Sequence, residues 1–291
     1  MAGTRSVALL LDDPGNLYQQ LLAREAQLAA SAHKLTLQPP DWAKGSPWTQ
    51  IESINAMLRK EARPDGVVIM LAGRLTRGPA ERLVKAGLAV VFIQRIPDWV
   101  QELAATYKDT LVASVSPRQE KLGEIQARHA QRLAPHGGFA LLVTGDLTTP
   151  AAAKRKQGFI DAADKRLQVQ ALDGRWSTAG TEQVIGEWLR IGAERERKVD
   201  LVVCANDAMA AAARRTLARH GVDVTRVPVI GCDGLEQEGK VLLAKGEIQA
   251  TVVVPPTTPK ALELLSSYWA SGARPDGPLL LDSTALPPLE R

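Results

Sequence analysis

From Val7 to Val254 the chain alternates between short apolar runs and amphipathic segments of about ten to fifteen residues, and this alternation constrains the fold more than any other feature. Continuous apolar runs suit strands buried on both faces. The amphipathic segments between them suit crossover helices, so the pair of signals describes a parallel sheet flanked by helices. Strands are expected at 7–11, 35–38, 66–71, 89–93, 111–115, 139–143, 167–172, 200–204, 227–230 and 248–254, with a last one at 279–282. Apolar stripes at helical spacing lie between them: Leu17, Leu21 and Leu28; Ile51, Ile54 and Leu58; Leu122, Ile125 and Leu133; Val184, Trp188 and Ile191; Met209, Ala213 and Leu217; Leu262, Leu265 and Trp269. Each stripe is expected to pack on a sheet face.

So many strands overfill one small layer, and 291 residues, 45% of them apolar, suffice for two cores. The expected fold class is α/β, with two similar lobes, each a parallel sheet flanked by helices, joined by a multi-strand hinge. A break near 110–117 and a Pro-rich return after Val254 place one lobe at 1–112 with 255–278 and the other at 113–254 with 279–291. Chain segments crossing between lobes would form a hinge around a ligand cleft.

In open parallel sheets ligands gather at the carboxyl ends of the strands. The run 200–204 breaks there at Asn206-Asp207, and the run 227–230 leads to Asp233-Gly234. Asn206 or Asp207 can equally cap the next helix, and Asp233 can be a turn residue. Of the six Trp, Trp188 and Trp269 fit helix stripes, whereas Trp42, Trp48, Trp99 and Trp176 follow strands on the ligand-facing side. An indole face suits a sugar ring, apolar on its C–H face and polar at its rim.

Thirty-six Lys and Arg against 32 Asp and Glu give +4, spread without long runs. The longest basic run, Lys154-Arg155-Lys156, lacks aromatic neighbours that would stack bases, so no direct nucleic-acid binding is expected. Cys204 and Cys232 match no metal spacing and read as reduced, packed thiols; no metal and no cofactor is expected. Catalytic motifs are missing: no Gly-x-Ser-x-Gly, His-Glu-x-x-His or Gly-x-Gly-x-x-Gly occurs. Gly234-Leu-Glu-Gln-Glu-Gly239-Lys240 imitates a phosphate loop but continues with Val241 and places two Glu where phosphates would sit. No window approaches the ~18 apolar residues needed to span a bilayer. The first strand begins so close to Met1 that a secretory signal has no room, which reads as cytoplasmic if Met1 is the native start and periplasmic if a leader has been removed.

Three motifs in order, Arg155-Lys156-Gln157-Gly158-Phe159, Asn206-Asp207-Ala208-Met209-Ala210 and Val229-Ile230-Gly231-Cys232-Asp233-Gly234, resemble those of the type I periplasmic binding proteins. The same fold serves as the effector domain of lac-repressor-type regulators. The resemblance spans essentially the whole chain and implies a site built from Asn16, Tyr18, Gln94 and Arg95 in the first lobe and Arg155, Trp176, Asn206 and Asp233 in the second. Asp12, Asp13, Trp42 and Val254 are possible additions. In the family's sugar binders the Arg95 position donates to hydroxyls or a ring oxygen and the Asp233 position accepts from hydroxyls. Gln94 stands where they often carry Asp, Val254 where they carry a hinge Gln, and Gln19 where a second aromatic is common.

The resemblance implies a non-enzymatic solute-binding protein closing on a small polyhydroxylated ligand, a sugar or sugar derivative, for an ABC-type uptake system. Its partner would be a membrane permease if exported, or a DNA-binding or signalling module if the chain is a regulator's effector domain. A third reading is an α/β enzyme acting on a sugar or nucleotide.

Overall fold

A computed structural model describes residues 4–73, 75–193 and 198–289. The fold is two-lobed α/β, with parallel sheets flanked by helices. One unit is Met1–Pro117 with Pro256–Leu281, the other Arg118–Pro255 with Asp282–Arg291, so the chain passes between them after Pro117, Pro255 and Leu281.

With elements numbered in chain order, the first unit contains β1 (Ser6–Leu11), β2 (Thr36–Leu37), β3 (Asp41–Trp42), β4 (Gly66–Ile69), β5 (Ala89–Ile93), β6 (Val112–Pro117) and β12 (Leu279–Leu281). They form a seven-stranded sheet in the order β12-β6-β5-β4-β1-β2, with β3 also on β1, and every pair is parallel. The edge is split because Pro39 and Pro40 have no N–H to give to β1; Gln38 N and Ala43 N donate to Val7 O and Leu11 O on either side of the gap. The sequence suggested one strand there and missed β3.

Helices α1 (Leu17–Ala32), α2 (Pro47–Arg59), α3 (Arg77–Lys85), α4 (Trp99–Thr106) and α10 (Thr258–Ser271) complete this unit. Ile54, Ile69, Leu83, Phe92 and Leu103 are fully buried in one of its cores. Trp99, expected at the ligand edge, instead packs against that core, edge-on to Phe92 with ring centroids 5.6 Å apart. Residues 279–282 were expected in the second lobe, but β12 pairs with β6, so the first unit claims Leu279–Leu281. The first lobe likewise keeps all of β6, which is in register with β5 from Val90↔Val112 to Ile93↔Val115.

The second unit has β7 (Gly138–Thr144), β8 (Leu167–Asp173), β9 (Leu201–Cys204) and β10 (Val229–Ile230) in a parallel sheet ordered β10-β9-β7-β8. Beside it β11 (Thr251–Val253) pairs antiparallel with β13 (Thr284–Leu286), and single bridges Ile230↔Ala250 and Asp233↔Val253 tie β11 to the end of β10. Helices α5 (Gln119–Leu133), α6 (Pro150–Ala162), α7 (Thr178–Ala193), α8 (Asp207–Arg219) and α9 (Gly239–Ala244) cover the sheet. Where α5 meets α6 the backbones nearly touch: a Cβ on Gly123 would lie 2.0 Å from Arg155 O, and one on Gly158 2.0 Å from Glu120 O. Two expected stripe members face solvent instead, Leu28 on α1 and Ile191 on α7. Ile191 lies one step beyond buried Trp188, whereas Leu28 lies across α1 from buried Leu22, Ala26 and Ala30, so its spacing with Leu17 and Leu21 traced the wrong face.

Candidate functional site

In the first unit the loop after β1 is built around a buried ion pair. Asp12 Oδ2 accepts from Arg95 Nη1 at 2.7 Å, and both side chains are largely buried. Asp12 Oδ1 accepts from Gly45 N, while Arg95 Nη1 also donates to Leu71 O. Gln19 Oε1 accepts from the backbone N–H of both Asp12 and Asp13, each at 2.9 Å, so the residue standing where an aromatic was expected clamps this loop. Asp13 is exposed and closes a turn onto Gly15 N, and Asn16 caps α1 by accepting from Gln19 N.

Gln94 and Arg95 follow β5 in a tight bend. Arg95 N donates to Ile93 O at 2.8 Å around Gln94, whose φ is +67°, a γ-turn geometry that a non-glycine residue rarely holds. The Gln94 side-chain amide is nearly buried and donates to Tyr18 Oη and Thr257 Oγ1, both at 3.0 Å, while Ser116 Oγ donates to the Gln94 backbone carbonyl. The structure thus gathers Tyr18 with Gln94, and Asp12 with Arg95. Trp42, half-buried in β3, pairs with Leu11, and Trp48 is 76% exposed on α2.

In the second unit Arg155, on α6, is the hub. Its Nε and Nη2 donate to Gln119 Oε1 at 3.1 and 2.8 Å, and its Nη1 to Ala205 O at 2.6 Å and Cys232 Sγ at 3.5 Å. Its guanidinium lies 5.2 Å from the Trp176 ring centroid, a cation–π distance. Trp176 follows β8 on two successive left-handed residues, Arg175 at φ +53° and Trp176 at φ +60°, and its indole lies so close to Gly145 that a Cβ there would be 1.9 Å from Cε2. A cavity of about 10 Å³, lined in part by Thr144, Gly145, Arg155, Lys156 and Trp176, has room for about one water. The broad open groove of the first unit, about 730 Å³ between β1 and α2, is lined by none of the expected site residues.

Asn206 caps α8, accepting from Met209 N at 2.8 Å, and is almost buried. Arg155 grips the carbonyl just before it and the thiol just before Asp233, so three residues distant in sequence share one strand-end edge. Asp233 has φ +111° and partial solvent access. Its backbone is pinned between Val252 O, which accepts from its N–H, and Val254 N, which donates to its carbonyl. Among the described residues no side chain or backbone group hydrogen-bonds its carboxylate. Burial, then the nearby Asp207 charge, hold its pKa well above the ordinary aspartate value, and Arg155 opposes them. Val254 itself is buried apolar packing.

The sequence marks Asp207 only as a possible helix cap. It is fully buried, with Thr251 Oγ1 donating to Oδ1 at 2.6 Å and Gly234 N donating to Oδ2 at 2.7 Å. Burial pushes its pKa up to about 7 against those hydrogen bonds, and Glu238 adds to the rise. The glycines that could have found it are Gly231, Gly234 and Gly239, the last two belonging to the stretch that imitates a phosphate loop. Cys204 and Cys232 are free and buried, the latter thiol pushed up to about 12 chiefly by burial. Among the described residues no group of His, Cys, Asp and Glu could hold a metal ion, and no helix is long and apolar enough to cross a membrane.

The family model for the periplasmic binding protein domain matches residues 7–264. The chain belongs to that family. No curated protein matches the sequence. Solved structures of similar fold include a myo-inositol binding protein from Caulobacter bound to myo-inositol, at 21% identity and TM-score 0.80, over 98% of this chain and 94% of that one. A periplasmic solute binding protein of an ABC transporter from Actinobacillus succinogenes, with bound D-allose, is 18% identical at TM-score 0.82 over 97% of each chain. A solute binding protein from Burkholderia multivorans is 21% identical at TM-score 0.83, over 98% of this chain and 99% of that one. At such identities these likenesses show the periplasmic binding protein fold.

Proposed function

We propose that this protein is a solute-binding protein for a small polyhydroxylated molecule, a sugar or sugar derivative, taken up without chemical change and handed to an ABC-type permease outside the cytoplasmic membrane. The observation that carries this reading is the second unit's strand-end edge. There Asp233, whose carboxylate has no hydrogen-bond donor among the described residues, stands on a positive-φ backbone, and Arg155 links the neighbouring Cys232 to the indole of Trp176.

Burial and the Asp207 charge favour the protonated Asp233 carboxyl without ligand, and two adjacent hydroxyls supply the donors that would stabilise its ionised form, which accepts hydrogen bonds only. Their arrival also offsets its desolvation. The indole offers flat apolar surface to ring C–H groups. Four of the five N–H donors of Arg155 are already engaged, which makes it a rigid brace with one Nη2 hydrogen to offer. At the second unit's edge the company of Arg155 with Asp233 suits a ligand without net charge. Myo-inositol and D-allose, bound by the similar proteins above, are of that kind.

Thermal-shift screening against neutral sugars, polyols, sugar acids and sugar phosphates tests the reading. A neutral polyol or sugar is expected to raise Tm and to be recovered unaltered after incubation. A folded chain stabilised by no neutral sugar or polyol, or one that returns a chemically changed ligand, would overturn it.

A further inference from the structure

Gly231, Gly234 and Gly239 surround a single side chain. A Cβ on Gly231 would lie 2.1 Å from Asp207 Oδ1, and one on Gly239 2.1 Å from Asp207 Oδ2, while Gly234 gives its N–H to that same Oδ2. The glycine spacing that imitates a phosphate loop therefore wraps a carboxylate of the chain itself. The cage closes on the far side with Thr251 of β11, the strand whose neighbours Val252 and Val254 hold the Asp233 backbone. Asp207 is also the first residue of α8, directly after Asn206. One buried group thus touches the loop that aims Asp233, the strand that pins it, and the helix start that carries Asn206.

We propose that Asp207 is the positioning residue of this edge, holding the Cys232–Gly234 turn so that the Asp233 carboxylate points where ligand hydroxyls arrive. This rests on the reading of Asp233 as a ligand acceptor. The positive φ of Asp233 is held by surroundings that over-determine it, and of the two side-chain bonds to its flanking residues the one from Gly234 N to Asp207 is the shorter, the other running from Arg155 Nη1 to Cys232 Sγ. Without it, Asp233 relaxes toward an ordinary backbone geometry and swings the carboxylate away. An amide at 207 can keep both contacts, since its oxygen accepts from Gly234 N and its nitrogen donates to the Thr251 hydroxyl, which can accept as well as donate.

The test is a double-mutant cycle on the full chain, read by calorimetric titration with myo-inositol, D-allose and L-arabinose, together with amide hydrogen exchange at Gly234 without any sugar. Expected are an affinity for Asp207→Asn within about threefold of the parent, a loss of about tenfold or more for Asp207→Ala, and almost no further loss when Asp207→Ala is added to Asp233→Ala. Gly234 exchange is expected to rise in Asp207→Ala and to be restored in Asp207→Asn. If Asp207→Ala does not fold, Thr251→Val replaces it in the cycle, with an expected loss of about threefold or more that disappears in the Asp233→Ala background.

If Asp233→Ala weakens binding but the 207 and 251 variants do not, or if their losses persist unchanged in the Asp233→Ala background, the positioning role is overturned and the binding reading stands. If Asp233→Ala leaves affinity unaltered, or none of the three sugars binds, the acceptor role fails and the positioning role with it. In that case the exchange data still report whether Asp207 pins the turn.

Discussion

Asp233 and Arg95 were expected to play matching parts, yet their surroundings impose opposite costs. Arg95 is paired with Asp12 in a largely buried ion pair, so removing either partner leaves an uncompensated charge. Arg95→Ala or Asp12→Ala is therefore expected to lower stability by about 3 kcal/mol or more in chemical denaturation. Asp233 is different, because among the described residues its carboxylate has no donor, and it faces the charge of Asp207 and holds a backbone angle that disfavours side chains. Asp233→Asn should leave stability unchanged or raised. Asp207 adds a pH dependence. The unfolded chain releases that proton near the ordinary aspartate value, the folded chain only near 7, so folding takes up a proton between them. Its contribution consequently favours folding at low pH and falls away as pH rises, flattening above about 7, with a span of ~4 kcal/mol at most. Denaturation of the parent and Asp207→Asn from pH 5 to 8 should show the parent losing ground to the variant across that range; a constant difference would contradict the buried, late-titrating carboxyl. At this scale the residue types at the strand ends were legible, because parallel sheets place polar turns there. Their partners were not: nothing in the sequence showed that Gln19 clamps the first loop, that Gln119 and two loops hold Arg155, or that Asp207 is caged.

At the scale of elements, the second unit's edge depends on how closely α5 and α6 approach. Gly123 and Gly158 let the backbones meet, and α6 carries Arg155 to Ala205 and Cys232. A methyl at Gly158 would meet the Glu120 backbone, which can yield only if the helices separate. Gly158→Ala is expected to cost about 1 to 3 kcal/mol, the usual range for overpacking, and to loosen the Arg155–Trp176 stack, visible as a change in tryptophan emission. An unaltered Tm and emission spectrum would show that the contact is not restrictive. The long strands were legible because burial on both faces makes them continuously apolar. The short ones were not, since β3 and β13 are two- and three-residue pairings defined by their partners rather than by any pattern of their own. The stripes marked α1, α2, α5, α7, α8 and α10 but not α3, α4, α6 or α9, so Trp99 on α4 was placed in a loop, and on α1 the spacing of Leu17, Leu21 and Leu28 traced a face other than the buried one.

For the whole molecule, regular alternation of strand and helix signals was enough to indicate a pair of parallel α/β units, and three motifs were enough to suggest the family. The exact points of exchange were less visible, because the strand at Leu279–Leu281 is assigned by its pairing with β6 and not by its own residues. The central claim is that this family member binds a neutral polyhydroxylated ligand through Asp233, and calorimetric titration of the parent and Asp233→Asn with the sugar that gives the largest thermal shift tests it most directly. One ligand per chain is expected for the parent, with affinity at least tenfold weaker in a variant that remains fully folded. Equal affinity in the two proteins would contradict the account.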